Sequence, residues 1–365
     1  MDYATELYAM LSLYFSGNKA RVVCMTNILI GLIKSATTNL HRVSGNMPGS
    51  TKIKSKYRRI QRFFEQVTFD WEQLARYIIN QISLSSKFIL ILDRTNWKLG
   101  KTHINLLVLS VAFNGISIPL YCTNLAKAGN SNTKDRMLIF SKAIRLLGIA
   151  NIEALLGDRE FVGEDWLHWL AYYGIIFVIR IKDNSMLYKN KRYRKAINSF
   201  RSLSRECMRG FTCSLWELEL TVVGYKDKDG KVQILATNGE PKSTVKLYSV
   251  RWQIESMFLC LKSNGFNLEE THMSCPDKLE LLFGLLAILT CWNCKIGLWC
   301  NQLKPVKIKN HRRPAQNLFH YGMTIISSVV SNIIDYGKDF RKLIKIIKKP
   351  NLSEEDCYDI ELQCL

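Results

Sequence analysis

Phe88-Ile-Leu-Ile-Leu92 is an unbroken apolar run that stops at a carboxylate, Asp93. A run so short has no room for a helical period and reads as a strand buried on both faces, which requires helices on either side of its sheet. The following segments agree. Ile104 to Phe113 and Ile116 to Tyr121 read as two more strands, joined by the turn Asn114-Gly115. A polar loop, Gly129 to Thr133, leads into a helix from about Lys134 to Leu147. Ile152 to Leu156 is a fourth strand closing in Gly157-Asp158, Glu164 to Tyr173 an amphipathic helix, and Ile175 to Ile181 a fifth strand. Three strands, then helix, strand, helix, strand, is the order of a mixed α/β sheet with helices on its faces.

The flanks read differently. Residues 1–85 look helical in two blocks: Thr26 to Ile33 is apolar, and Phe63, Phe64, Val67, Trp71, Leu74, Ile78 and Ile82 recur at steps of three and four. Their joint, Ser44 to Ser50, precedes a basic run, Lys52, Lys54, Lys56, Arg58, Arg59 and Arg62. That run suits DNA phosphates and equally suits a solvated helix face. Residues 183–242 break the alternation. A basic stretch from Lys189 to Arg209 precedes strands at Phe211 to Tyr225 and Val232 to Thr237, joined at Lys226 to Gly230. This stretch is expected to be a mostly β insertion. A helix from roughly Ser243 to Ser263 follows, then an apolar helix from Asp277 to Trp299. The apolar part of the latter, Leu281 to Cys294, is too short for a bilayer span and reads as a buried helix. Residues 301–349 carry 11 Lys and Arg against Asp335 and Asp339, and Ser353 to Leu365 is an acidic tail, expected to be weakly ordered.

The net charge of +20 points to a polyanionic partner, nucleic acid first. The 47% hydrophobic and 22% charged content is that of a globular chain, so the charge is not the mark of a disordered one. Eleven cysteines form no even framework, and Met1 to Gly17 carries Asp2 and Glu6 with no basic n-region; reduced thiols in a cytosol are the expectation. Cys291 and Cys294 have a metal-like spacing, but no second pair or histidine pair follows, so they read as buried helical cysteines.

The chemistry is expected where acids meet strand ends. Asp93 ends the first strand and Asp158 the fourth, so if these strands are neighbours the two carboxylates share an edge. On one helix Tyr248, Arg251, Glu255 and Lys262 fall within roughly 60° of one another, while Val250, Ile254, Met257, Phe258 and Leu261 face a core. That helix can bring Glu255 to the aspartates. Three converging carboxylates repel one another unless cations neutralise them, and hard oxygen donors select Mg²⁺ or Mn²⁺. Two such ions about 3.5–4 Å apart serve phosphodiester displacement. Glu160 competes with Asp158 as a ligand, and Glu255 can also be half of an i, i+4 pair with Arg251.

Asp93-Arg-Thr-Asn-Trp97, Gly157-Asp-Arg-Glu-Phe161 and Tyr248-x2-Arg251-x3-Glu255-x6-Lys262 together resemble the DDE transposases of bacterial insertion sequences. The last is similar to the Y-R-E-K signature of the insertion-sequence-four family at every spacing. The resemblance covers about 87–275. It implies a ribonuclease H-like core at 86–182 and 243–275, the β insertion at 183–242, a helical DNA-binding region at 1–85 and a helical region at 276–365 suited to dimerisation. Asp93, Asp158 and Glu255 would hold two Mg²⁺ or Mn²⁺ ions as the catalytic triad. Tyr248, Arg251 and Lys262 would contact phosphates. The resemblance further implies cut-and-paste transposition: cleavage at terminal inverted repeats, a hairpin intermediate and strand transfer to target DNA. The enzyme would act as a homodimer on paired double-stranded DNA ends, in the bacterial cytoplasm at the nucleoid and with no membrane partner. Relatives trap a flipped base on a tryptophan of the insertion; Trp216 lies in that region, where an ordinary core tryptophan is the alternative. Two other functions compete, a domesticated DNA-binding protein that no longer cuts and a structure-selective nuclease on the same fold. All three acids and Lys262 are present, which a mere binder does not need.

Overall fold

The computed structural model describes residues 3–82, 87–125, 127, 129–310 and 313–349. The acidic tail at 353–365 lies outside the described residues. The chain opens with five helices, α1 (Tyr3–Leu11), α2 (Lys19–Ser35), α3 (Leu40–Asn46), α4 (Ile53–Gln66) and α5 (Trp71–Gln81). Asn18, Asn39 and Asp70 start α2, α3 and α5 by accepting bonds from first-turn amides that have no helical partner.

The sheet begins with β1 (Phe88–Leu99), β2 (Thr102–Phe113) and β3 (Ile116–Asn124), an antiparallel meander. Asn114 and Gly115 both have positive φ, the conformation that a tight two-residue hairpin needs. α6 (Thr133–Leu147), closed at its start by a capping box between Asn132 and Asp135, crosses back to β4 (Ile152–Gly157). α7 (Glu164–Tyr172) then leads to β5 (Phe177–Arg180); β4 and β5 run parallel to β1 and to each other.

β1 outruns the expected strand. Residues 93–99 continue in register with β2, from Asp93 opposite Val108 to Leu99 opposite Thr102, after the pairing with β4 has stopped. These residues form a two-stranded ribbon beyond the main sheet, and the polar Arg94, Asn96 and Lys98 hide it from an apolar-run reading.

The β-rich segment extends this same sheet. β6 (Met186–Lys189), β7 (Arg192–Lys195), β8 (Met208–Leu215), β9 (Leu218–Lys226) and β10 (Val232–Thr237) join through β10, antiparallel to β5. The ten strands run β3-β2-β1-β4-β5-β10-β9-β8-β6-β7. The expected single strand from Phe211 to Tyr225 is the hairpin β8–β9. It turns at Trp216-Glu217, both at positive φ and with no Gly or Asn to announce it.

After the sheet come α8 (Pro241–Ser249) and α9 (Trp252–Lys262), where one helix is expected. Between them the amides of Val250, Arg251, Gln253 and Ile254 bond three residues back rather than four, an overwound turn. α10 (Pro276–Leu303) follows, then α11 (Leu318–Ser331) and α12 (Gly337–Lys348). α10 has the length and apolarity of a membrane span, longer than its apolar stretch alone suggests, yet its apolar window is almost wholly buried within the protein. It packs on β3 and α5 and along α11. Trp292 Nε1 donates to Tyr77 Oη (2.6 Å), and the buried Lys295 amine donates to Gln81 Oε1 (2.8 Å) and to the closing carbonyl of Ile347 in α12 (3.1 Å).

α10 and α11 cross at a pair of glycines. A Cβ on Gly322 would overlap the Asn293 carbonyl, and one on Gly297 would overlap that of Leu318. Gly322→Ala should therefore destabilise the protein by about 2–3 kcal/mol, because neither backbone can yield. Gly45→Ala, at a helical position open on every side, should be neutral or stabilising by about 0.5–1 kcal/mol. Urea unfolding of the two variants measures both.

Candidate active site

The parallel pairing of β1 with β4 ends at Leu92 opposite Gly157. Asp93 and Asp158 are the next residues on these adjacent strands, so their carboxylates emerge together where the strands part, about 4.8 Å apart in backbone. The parallel strands present their carboxyl ends here, the edge where ligands of open α/β sheets bind. Gly157 permits the sharp exit from β4, since a Cβ there would press on Phe161 at 3.2 Å.

A side chain with no sequence signature fixes the segment after Asp158. Arg136 of α6 donates to the carbonyls of Glu160 (2.8 Å) and Ser131 (2.7 Å) and lies over the Phe161 ring. Glu160 is engaged elsewhere: the guanidinium of Arg94 holds both its oxygens at 3.1 Å, and also reaches Asn105. Glu160 is thereby removed as a competitor of Asp158 in this arrangement.

α8 packs on β5, β9 and β10 and α9 across β1, β2 and β3, and the turn between them reaches this edge. Gln253 Oε1 accepts from the Phe113 amide at 2.9 Å, tying α9 to the end of β2. Ile254, Met257, Cys260 and Leu261 are buried beneath it. Arg251, buried at the overwound turn, reaches Glu255 Oε1 at 2.6 Å and Asp93 Oδ2 at 3.4 Å. Tyr248 Oη donates to Asp158 Oδ1 at a long 3.5 Å and lies beside the Arg251 guanidinium. The i, i+4 pair of Arg251 with Glu255 thus exists and also bridges to the sheet. Five of the six expected residues, Asp93, Asp158, Tyr248, Arg251 and Glu255, gather in one place.

Lys262 stands apart. Its amine bonds Glu269 (2.6 Å) and the Asn96 carbonyl (3.2 Å), over the Trp97 ring on the β1 ribbon. Trp216 lies farther still. β8 and β9 run antiparallel from the carboxyl edge to the opposite edge, where their turn sits and the Trp216 carbonyl bonds His168. Partly buried, it packs against the core, as the alternative expected, and lies away from the carboxylates.

Burial pushes the Asp93 carboxyl up to about 7; the Arg94 amide and the Arg251 guanidinium oppose the rise, and Glu160 and Asp158 add to it. Burial likewise raises the Tyr248 hydroxyl to about 12, against the pull of Arg251. The Nε of Arg251 is buried with no acceptor among the described residues. Such an orphan donor costs about 1–3 kcal/mol and suits an incoming anionic oxygen. No three His, Cys, Asp or Glu side chains among the described residues cluster closely enough to cage a metal. Two aspartates converge, and Arg251 holds Glu255. The donor set still fits a hard divalent ion: all its atoms are carboxylate oxygens, and Asp93 lacks enough positive charge nearby to ionise at its ordinary value. Cys291 and Cys294 do not suit one, since burial drives both thiols far up.

Residues 85–293, more than half of the chain, match the family model of the transposase DDE domain. This chain belongs to that family. The DDE domain family comprises nucleotidyl-transfer enzymes that use divalent metal ions. The solved synaptic complex of piggyBac transposase with hairpin DNA is similar over 97% of this chain and 85% of that one, at 12% identity and a TM-score of 0.48. No curated protein matches the sequence.

The raised Asp93 value has a stability consequence. An unfolded aspartate ionises near 3.9, so between about pH 4 and 7 the folded DDE domain binds the extra proton, and stability falls as pH rises through that window. Asp93→Asn removes this dependence. In EDTA, its unfolding free energy relative to wild type should grow by a few kcal/mol at most from pH 5 to pH 8, read by urea titration.

Proposed function

We propose that the protein is a transposase that cuts its element's ends and joins them to target DNA, with Asp93, Asp158 and Glu255 as the acidic triad. The observation that carries this reading is the convergence of Asp93, Asp158 and, through Arg251, Glu255 on the carboxyl edge of β1 and β4. The β3-β2-β1-β4-β5 portion of the sheet, antiparallel then parallel, supports a ribonuclease H-like core. The spacing of Tyr248, Arg251, Glu255 and Lys262 supports the insertion-sequence-four assignment.

The chain's own groups have separable tasks. Asp93 and Asp158 would hold Mg²⁺ or Mn²⁺, with Glu255 completing the donor set. The ions would supply an activated water or sugar hydroxyl and stabilise the leaving oxygen. Arg251, with its orphan Nε, binds a phosphate oxygen of the cleaved end, and Tyr248 steadies Asp158 from the other side. Lys262 contacts the strand farther along, over Trp97. A homodimer pairing two inverted-repeat ends, and a hairpin intermediate, complete the cut-and-paste scheme. The work takes place in the bacterial cytoplasm, at the nucleoid.

Incubation with Mg²⁺ and DNA carrying the terminal repeats that flank the gene should give end nicking and joining to plasmid DNA. Hydrolysis of a pre-cleaved end without joining would instead mark a nuclease, and binding without nicking would mark a protein that no longer cuts. Glu255→Gln should lower nicking by about 100-fold or more, exceeding a typical supporting-shell loss. Its stability should change by under about 1 kcal/mol, because the Glu255 side chain is 40% exposed and its ion pair is screened. Mg²⁺ should raise the melting temperature of the wild type at pH 8 and leave that of Asp93→Asn unchanged.

A further inference from the structure

The hairpin β6–β7 closes the far end of the ten-stranded sheet, and nothing in the catalytic reading uses it. From Asn184 to Arg205 the chain carries seven Lys and Arg and no acid. All four residues of β7 are exposed, and Tyr188 and Tyr193 face each other across the two strands, 4.8 Å between ring centres, at 40% and 69% exposure. Met186, also exposed, extends the same face. Lys189 lies over the Phe211 ring of β8 at 4.4 Å, so the hairpin has a fixed seat on the sheet.

Its turn is the informative part. Asn190 and Lys191 both have positive φ, the conformation that Asn114-Gly115 adopts between β2 and β3. There the second residue is glycine, which adopts it freely; here it is a lysine, which does not. The turn thus places a cation where the backbone favours glycine.

Direction follows from the pairings. β10 runs antiparallel to β5, β9 to β10, β8 to β9 and β6 to β8. β6 therefore runs parallel to β5, and its turn points toward the edge that carries Asp158. Arg205, before β8, Arg209, the second residue of β8, and Lys231, before β10, stand at that same edge. Five strand steps separate β4 from β6, about 25 Å at about 4.8 Å per step. At about 3.4 Å per base pair this is roughly seven base pairs of duplex.

We propose that the β6–β7 hairpin is a DNA-binding site for the duplex that leaves the catalytic edge, roughly seven base pairs from the cut. Lys191 at the turn and Lys195, opposite Met186 on the tyrosine face, take its phosphates, and the Tyr188–Tyr193 pair packs on its sugars and bases. This rests on the transposase reading for the position of the cut, but not for the binding itself. An aromatic and basic hairpin also suits an anionic membrane; shared alignment with the carboxylate edge favours DNA.

Binding is measured in EDTA on the full chain with a 30-base-pair duplex of arbitrary sequence, so cutting plays no part and its failure is a separate result. Lys191→Ala/Lys195→Ala should flatten the slope of log affinity against log salt by about 2, near 0.9 for each phosphate no longer neutralised. Tyr188→Ser/Tyr193→Ser should weaken binding several-fold with the slope unchanged. Lys191→Gly is the decisive variant: relief of the turn should raise its melting temperature while the slope falls by about one. A raised melting temperature with an unchanged slope assigns the turn a structural role only and overturns the proposal. Loss of binding to vesicles of anionic lipid, with DNA binding intact, overturns it in favour of a membrane.

Discussion

Arg251 is the residue on which the arrangement of the site depends. One buried guanidinium joins a helix to the sheet by bonding Glu255 and Asp93 together. A cation shared between two carboxylates offsets their repulsion once both are ionised. The overwound turn between α8 and α9 sets Arg251 inward two residues after α8 ends, with Tyr248 a turn behind it. Gln253 secures the next residues of α9 to β2. The cation and the backbone geometry that delivers it belong to one device.

Much of this was legible in the sequence because the informative residues sit on regular elements. The short apolar strands, the Asn114-Gly115 turn and the aspartates that close two apolar runs have local signatures, and the structure places β1 beside β4, as a shared edge requires, although β1 continues past Asp93. What escaped reading is held by tertiary contact. The outer half of β1 is polar and survives as a strand only because β2 pairs with it. Trp216-Glu217 turns without Gly or Asn because flanking strands β8 and β9 impose the geometry. Arg136 looks like any helical arginine, and only the fold brings the Glu160 carbonyl to it. The overwound turn at Val250 has no proline or glycine to mark it.

The helical flanks gather on the β3 side of the sheet. α10 lies against β3 and carries α5, α11 and α12 with it, while α1 meets α12 and α2 meets α11. The two ends of the described chain therefore build one shell around the β3 side of the sheet. The exposed cations of α4, including Lys54, Arg58 and Arg62, lie on this shell. A cavity of about 670 Å³ between α2 and α4 also belongs to it, with Arg59 and Arg62 at its wall and no part in the carboxylate site. Among the described residues the β6–β7 end of the sheet has no such cover, so positive charge is displayed at both extremes and the carboxylates lie between.

Two unmet demands at the centre are complementary. Asp93 is partly buried, and desolvation, only partly offset by Arg251, raises its carboxyl to about 7. Arg251 is buried with an unused donor at Nε. The first asks for a cation and the second for an anionic oxygen, yet their mutual bond, at 3.4 Å, is long and satisfies neither fully. A core evolved for stability alone would shorten that bond or replace both residues by apolar ones, as buried ion pairs permit. A phosphodiester accompanied by a divalent ion supplies both missing partners at once, which is the physical sense in which this edge is shaped for a nucleic acid backbone.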